Sequence, residues 1–324
     1  MRPCPERRPL DIAARRRHSL ILVRTLRLAS RDLPVAGLVH LGIIYLVWGS
    51  TYLAIRVAVR GDAGFAPFTL GALRVALGGI VLLLWAAARR ERLRPTREEA
   101  LLLLATGLLM WLGGNGLVNW AEQRLDSGYT ALLIGTTPIW VAAMEALLDR
   151  KAPSARFMGS LVIGFAGLAT LTVPVLRAGS RADTWAVVGL VMAPISWGAG
   201  TVLYHRRPLA LSPRVTSGFQ QVLAGVGFAV TARILGERPP PTLAAKEAWL
   251  AWGYLTLFGS VLAFTSFLRA LRALPTGIVT TYAYVNPVVA VLLGWFLLHE
   301  PVTGWTVAGT ALILAGVAGV FANR

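Results

Sequence analysis

Residues 39–58 read VHLGIIYLVWGSTYLAIRVA, and residues 184–203 read TWAVVGLVMAPISWGAGTVL. Each is a nearly unbroken apolar run of about 20 residues, which as a helix at about 1.5 Å per residue crosses the hydrocarbon of a bilayer. One shift of 149 positions takes Trp48-Gly49 onto Trp197-Gly198, Ser127-Gly128 onto Thr276-Gly277, Pro138 onto Pro287 and Gly167 onto Gly316. Identity between the two stretches is otherwise low, so the repeat rests on shared punctuation, spacing and succession of apolar runs. The chain reads as two copies of one hydrophobic unit, over residues 39–174 and 184–322.

Working outward with a window of about 19 residues, each copy yields five spans. They fall near residues 39–58, 67–88, 99–120, 128–148 and 156–174, then 184–203, 213–235, 248–270, 277–297 and 303–322. No water is available in the bilayer core to satisfy backbone groups, so runs of this length form helices. An odd number of spans forces the two copies to face opposite ways. The expected fold is all-α, a polytopic membrane protein of ten transmembrane helices arranged as two inverted five-helix repeats. Inverted repeats are a building plan of secondary transporters, because two related packings of the halves supply the two access states.

Composition agrees: 56% of residues are hydrophobic and 15% charged, with a mean hydropathy of +0.62, whereas soluble domains are near a quarter charged. The net charge of +17 does not point to nucleic acid, because the basic residues lie between the apolar runs. With the amino terminus in the cytoplasm, the inner segments hold 23 of the 32 Lys and Arg, which predicts both termini inside. The first loop of the first copy has only Arg60, while its counterpart holds Arg206, Arg207 and Arg214, so the bias changes sides as inversion requires. Residues 1–38 read as a basic, disordered tail facing the lipid surface, or their first 36 residues as an overlong start, and the sequence leaves both readings open. Cys4 is the only cysteine, which leaves no internal disulfide and no cysteine-based metal cluster.

Six groups of residues carry a family resemblance: Trp48-Gly49-Ser50-Thr51-Tyr52, Arg74, Asn119-Trp120-Ala121-Glu122-Gln123, Pro138-Ile139-Trp140, Tyr282-Ala283-Tyr284-Val285-Asn286-Pro287 and His299-Glu300-Pro301. In this order they resemble the EamA-type transporters of the drug/metabolite transporter superfamily, over nearly all of residues 39–322. The resemblance implies a ten-helix inner-membrane carrier with a central cavity between its halves, commonly exporting metabolites or drugs. One departure is Lys151, which stands where the shift would place the partner of Glu300.

Polar residues inside spans are the site candidates, since a charge at a helix centre costs about 2.5–3.5 kcal/mol on insertion scales. Arg74, seven residues into its span, reads either as an anchor for an anionic or carboxylate-bearing solute, or half of a gate, or as a structural pair to a carbonyl or an acid. Trp111, Asn115, Asn119 and Glu122 recur at helical spacing on the third span and would line a polar cavity, or hydrogen-bond between helices. Trp48 and Tyr52 share a face of the first span, and Trp197 and Thr201 stand at the matching places in the second copy. Tyr282 and Asn286 lie four apart on the ninth span beside Pro287, which frees a carbonyl near Ala283, and Pro138 predicts a matching kink in the fourth. Gln220 and Gln221 read as helix-to-helix contacts. Glu145 is a candidate proton-coupling acid, although it sits close enough to its span's cytoplasmic end to reach water.

There is no GxxxxGK[ST] phosphate loop and no HExxH pair, and no hydrolytic triad is visible. The chain reads as a secondary, non-ATP transporter of small organic metabolites or drugs working by alternating access, with an uncoupled uniporter or translocase as the alternative and an intramembrane receptor or enzyme behind it. Its expected partners are a small organic solute and the lipid bilayer, with no nucleic acid; a homodimer is compatible with it, and no metal or other cofactor is called for. The expected place is the bacterial inner membrane.

Overall fold

The structure, a computed structural model, describes residues 25–28, 31–59, 64–125, 127–177, 183–298 and 302–323. Residues 1–24 of the basic tail, Arg60 and the His299-Glu300-Pro301 motif lie outside the described residues. A two-stranded antiparallel hairpin, β1 (Thr25–Leu28) with β2 (Arg31–Pro34), runs directly into α1 (Val35–Ala58), which starts four residues ahead of the expected span.

The first half continues with α2 (Pro67–Ala88) and a third span of three parts, α3 (Arg97–Gly107), a π-helical segment (Leu108–Gly116) and α4 (Leu117–Ala121). The fourth span is broken into α5 (Ser127–Ile134) and α6 (Thr137–Asp149), and α7 (Ala155–Arg177) is the fifth. The second half repeats the plan: α8 (Thr184–Arg206), α9 (Pro213–Ile234), then α10 (Lys246–Tyr254), a second π-helical segment (Leu255–Phe264) and α11 (Thr265–Ala273). It closes with α12 (Thr276–Val279), α13 (Tyr282–Leu298) and α14 (Gly304–Ala322). Helix starts at Val35 and Thr184, Arg97 and Lys246, Ser127 and Thr276, and Ala155 and Gly304 are all 149 residues apart. The repeat is therefore structural as well as sequential.

Among the described residues, nine helical stretches are long and apolar enough to cross a membrane. The tenth is α9, 22 residues long and more polar because Thr216, Ser217, Gln220 and Gln221 are buried against protein. Large apolar side chains such as Leu84, Leu147, Trp185, Ile234, Leu250 and Phe296 face outward, where lipid satisfies them. A ten-helix membrane protein built from two inverted repeats accounts for both patterns.

Packing follows the symmetry. α2 lies against α9 and α7 against α14, each helix with its own counterpart. α1 packs on α13 and on the eighth span of the other half, while α8 packs on α6 and on the third span. The α7–α14 contact depends on small residues: a Cβ at Gly167 would stand 2.6 Å from the Ile313 amide nitrogen and 2.8 Å from the Gly309 carbonyl oxygen, closer than any side chain permits. Each member of the α2–α9 pair also has a carboxylate at its amino-terminal end. Glu237, beyond α9, accepts from the backbone N–H groups of Phe68 (3.0 Å) and Thr69 (2.7 Å) at the start of α2. Glu91, beyond α2, accepts from Ser212 and Arg214 at the start of α9. Glu237 thus satisfies backbone donors at the start of α2, whereas Glu91 holds the side chains of Ser212 and Arg214, and Ser212 itself accepts from the Val215 N–H of α9; both carboxylates match the positive end of a helix dipole.

Candidate functional site

The elements that cross between the halves enclose a central cavity of about 90 Å³. It is small against the roughly 300–1,000 Å³ of typical ligand pockets, so the halves are drawn close together in this conformation. Its walls come from α1, α2, the first π-helical segment, α8 and α13, and include Trp48, Arg74, Asn115, Trp197, Tyr282 and Asn286. Six of the eight residues expected to bind solute thus meet in one place, although they are drawn from both copies and lie up to 238 positions apart (Trp48 to Asn286).

Arg74 reaches the cavity from α2 and is only 2% exposed. Its Nε donates to Ser260 Oγ at 2.9 Å, and its guanidinium lies 5.4 Å from the centre of the Trp111 ring. Gly259 makes the room: a Cβ there would stand 2.9 Å from Arg74 Nη2. Nη1 has no hydrogen-bond partner among the described residues. Three other polar atoms on cavity-lining residues share that condition, Trp111 Nε1, Trp197 Nε1 and Asn286 Oδ1. Buried polar atoms are nearly always paired, by protein or water. Three N–H donors and one amide oxygen without partners among the described residues, around one cavity, describe a hydrogen-bonding frame with cationic character.

Below this frame, toward the face that carries the chain termini, aromatic rings pack into a floor. Trp48 lies with its ring centre 4.9 Å from Tyr282, 5.3 Å from Phe267 and 5.5 Å from Trp197, and its Nε1 donates across the halves to the Gly259 carbonyl at 3.2 Å. Edge-on packing of this kind adds about 0.5–1.5 kcal/mol per pair beyond burial. On the same face Arg206 pairs with Asp149 at 2.7 Å and Thr276 donates to Glu145, so α8 and α12 are tied to α6. Cavity-lining Ile55, Val118 and Ile134 place the cavity's other end toward the opposite face.

Several candidates stand elsewhere. Asn119 is fully buried but turned from the cavity, its amide directed at the Pro67 carbonyl and at Asn115 Oδ1, both at 3.5 Å. The reason is the π-helical segment: its i→i+5 bonding widens the turn, so a face drawn at α-helical spacing does not continue through it. Tyr52 lies on α1, with its side chain outside the described residues. Pro138 does not kink a continuous helix; the break comes first, at Gly135–Thr136, and Pro138 sits in the opening turn of α6, where its missing N–H costs nothing. Pro287 is inside α13, and the break in its span lies upstream, at Thr280–Thr281. Neither proline lines the cavity. Glu145 lines a separate cavity of about 420 Å³ at the face bearing the termini, together with Asp149 and Lys151. Gln220 donates to Thr106 at 2.7 Å, and Gln221 to Ser217 at 2.9 Å and to the Ser260 carbonyl at 3.3 Å, joining α9 to α3 and to the second π-helical segment.

Thr137 and Pro194 also line the cavity and are not singled out in the sequence, and Thr51, quoted there within the Trp48–Tyr52 motif, lines it without having been named a site residue. The Gly113-Gly114-Asn115-Gly116 run falls within the first π-helical segment, where Gly113 and Gly114 pack closely against Ser196 and Trp197 of α8.

The EamA-like transporter family matches this chain twice, at residues 36–173 and 184–322. The uncharacterized inner membrane transporter YedA of Escherichia coli (strain K12) is 34% identical over 263 residues, covering 81% of this chain and 82% of that protein. The uncharacterized transporter YoaV of Bacillus subtilis (strain 168) is 26% identical, over 86% of this chain and 95% of its own length. A protein of Streptantibioticus cattleyicolor named "Probable terminal-alkyne amino-acid exporter" is 27% identical, with 84% and 89% covered. A crystal structure of a protein superposes with a TM-score of 0.72 at 20% identity, covering 88% of this chain and 96% of that one, a likeness of fold. With both repeats matched and the ten-helix architecture in place, the chain belongs to the EamA-like transporter family and is a membrane transporter.

Proposed function

We propose that this transporter is a secondary carrier that moves small organic solutes bearing a carboxylate, amino acids among them, by alternating access. The observation that carries the reading is Arg74: a buried cation with one N–H unpaired among the described residues, inside a cavity walled by both halves. A solute carboxylate there would take a charge-assisted hydrogen bond from Nη1, with the indole N–H groups of Trp111 and Trp197 as further donors and Asn286 Oδ1 as an acceptor for an ammonium or hydroxyl. The name of the Streptantibioticus cattleyicolor relative supports an amino-acid class. The relative named as an inner membrane transporter supports placement in the inner membrane, and the distribution of Lys and Arg supports cytoplasmic termini, which would make the aromatic floor the cytoplasmic barrier. Outward movement of solute is the direction we favour, in keeping with the same relative's name.

The test is counterflow. Purified protein in liposomes preloaded with unlabelled L-leucine should accumulate radiolabelled L-leucine, and isoamylamine, which is leucine without its carboxylate, should fail to compete. Competition by isoamylamine equal to that by leucine would overturn the carboxylate reading, and absence of counterflow for a panel of carboxylate-bearing solutes in folded protein would overturn the carrier reading.

A further inference from the structure

A second buried charge lies outside the cavity. Glu122 follows α4, one residue past the span Arg97–Ala121, at the face opposite the chain termini. Part of its stem is exposed, but both carboxylate oxygens are shielded from solvent and have no hydrogen-bond partner among the described residues. Among the described residues the charged groups around it are few. Arg56 on α1 is the cation whose field reaches it. Of the elements packed on α4, α2 carries only Arg74, already held by Ser260, and the near end of α8 carries Asp183, which pairs with Arg124 at 3.5 Å.

An ionised carboxylate without donors or water is penalised by several kcal/mol, whereas the protonated acid loses much less. We infer that Glu122 is a proton-binding site, holding a proton in this compact conformation and releasing it to water when the face opposite the termini opens. The step balances simply: one proton moves from the aqueous phase on that side to a carboxylate oxygen as the face closes, and returns as it opens. Burial pushes the carboxyl up to about 8, the Arg56 guanidinium pulling it the other way. Because the two conformations bind the proton with different affinity, pH on that face biases the equilibrium between them, by up to about tenfold per pH unit between the two proton affinities. Acid on that face favours the compact conformation and alkali the open one.

This inference rests on the two-conformation reading proposed above, and the experiment separates their failures. Infrared difference spectra of the full chain in lipid, titrated from mildly acidic to alkaline buffer, should show a protonated-carboxyl band that disappears as pH rises, is missing in Glu122→Gln, and persists with a displaced midpoint in Glu122→Asp. In parallel, Thr51→Cys in a Cys4→Ser background reports cavity access by its rate of thiol labelling. That rate, divided by the rate for the same protein carrying Glu122→Gln, should rise several-fold with pH. A spectrum unchanged by Glu122→Gln would overturn the protonation site. A carboxyl band that titrates while the labelling ratio stays flat would overturn its hold on the conformation. Failure of L-leucine counterflow alone would count against the carrier reading and leave the infrared result standing.

Discussion

Replacing Arg74 by Met keeps a stem of similar length and removes the charge, so it separates what the arginine does for the fold from what it does for a solute. In the structure the guanidinium gains one hydrogen bond to Ser260 and a cation–π contact with Trp111. The first is worth about 1.5–3 kcal/mol as a bond to a charged group, and the second about 0.5–2 kcal/mol. Against these stands the desolvation of a cation without an acidic partner among the described residues, several kcal/mol in effective terms. The terms nearly cancel, so Arg74→Met should change unfolding stability by no more than about 1–2 kcal/mol. Solute affinity is different, because nothing offsets the lost anchor. Removing a charge-assisted hydrogen bond of about 1.5–3 kcal/mol weakens binding by about 10- to 150-fold. Scintillation proximity binding of L-leucine to purified protein, with a thermal unfolding scan on the same sample, reads both quantities. Affinity within threefold of the natural protein would refute the anchor, and a stability loss well beyond 2 kcal/mol would make Arg74 a structural brace.

Trp48→Phe keeps the aromatic floor but removes the hydrogen bond to the Gly259 carbonyl across the halves, and should cost about 0.5–1.5 kcal/mol in unfolding experiments; no change would mean that bond is incidental. Gly316→Val drives a side chain into the Gly164 backbone of α7, 2.5 Å from its Cα, and should destabilise by about 1–3 kcal/mol or more, seen as a lower Tm, which full retention of Tm would contradict. Asp149→Asn removes an ion pair whose side chains are 34% and 55% exposed, worth only about 0–1 kcal/mol of stability. It should nevertheless loosen the face that bears the termini, so that Thr276→Cys, buried in the intact protein, labels faster; unchanged labelling would show that the pair does not help to close that face.

The span pattern was readable because bilayer thickness dictates helix length, and the inversion because five is odd. Trp48, Arg74, Trp197 and Asn286 stood out for a related reason: polar or amphipathic groups within apolar runs need a reason to be there, and all four line the cavity. What stayed hidden depends on departures from regular helix. Extrapolating a face from Trp111 through Asn119 assumes one period, and the π-helical turn between them breaks that period. Pro138 and Pro287 read as kinks because proline disrupts a helix interior, but in both spans the chain breaks upstream of the proline, at Gly135–Thr136 and at Thr280–Thr281; Pro138 then falls in the opening turn of α6, while Pro287 stays inside α13. Thr51 belongs to the quoted Trp48–Tyr52 motif but does not stand out as a site residue for another reason: a hydroxyl that bonds the Trp48 carbonyl one turn back is at home on any membrane helix, so nothing in its chemistry marks its place on the cavity wall.

The repeat also shows where the molecule departs from its own symmetry. Gly49 on α1 and Gly198 on α8 are equivalent positions, each facing the broken helix of the other half. A Cβ on Gly49 would stand 2.6 Å from Val289 Cβ and 3.1 Å from the Asn286 carbonyl oxygen; on Gly198 it would stand 3.2 Å from Val141 Cγ2 and 3.8 Å from Met144 Cε. The same junction is thus tight in one half and looser in the other. A carrier with two access states needs this inequality, because each state is the other with the two packings exchanged. Asn286 belongs to the tight junction and also faces the cavity, so an exchange that relaxes α1 against α13 would displace a cavity-lining group in the same movement. The opposite junction is where Asp149 meets Arg206, and tightening it would rearrange the ties that close the face bearing the termini. In the carrier proposed above, solute contact and access on the two faces would be coupled through this one pair of helix junctions.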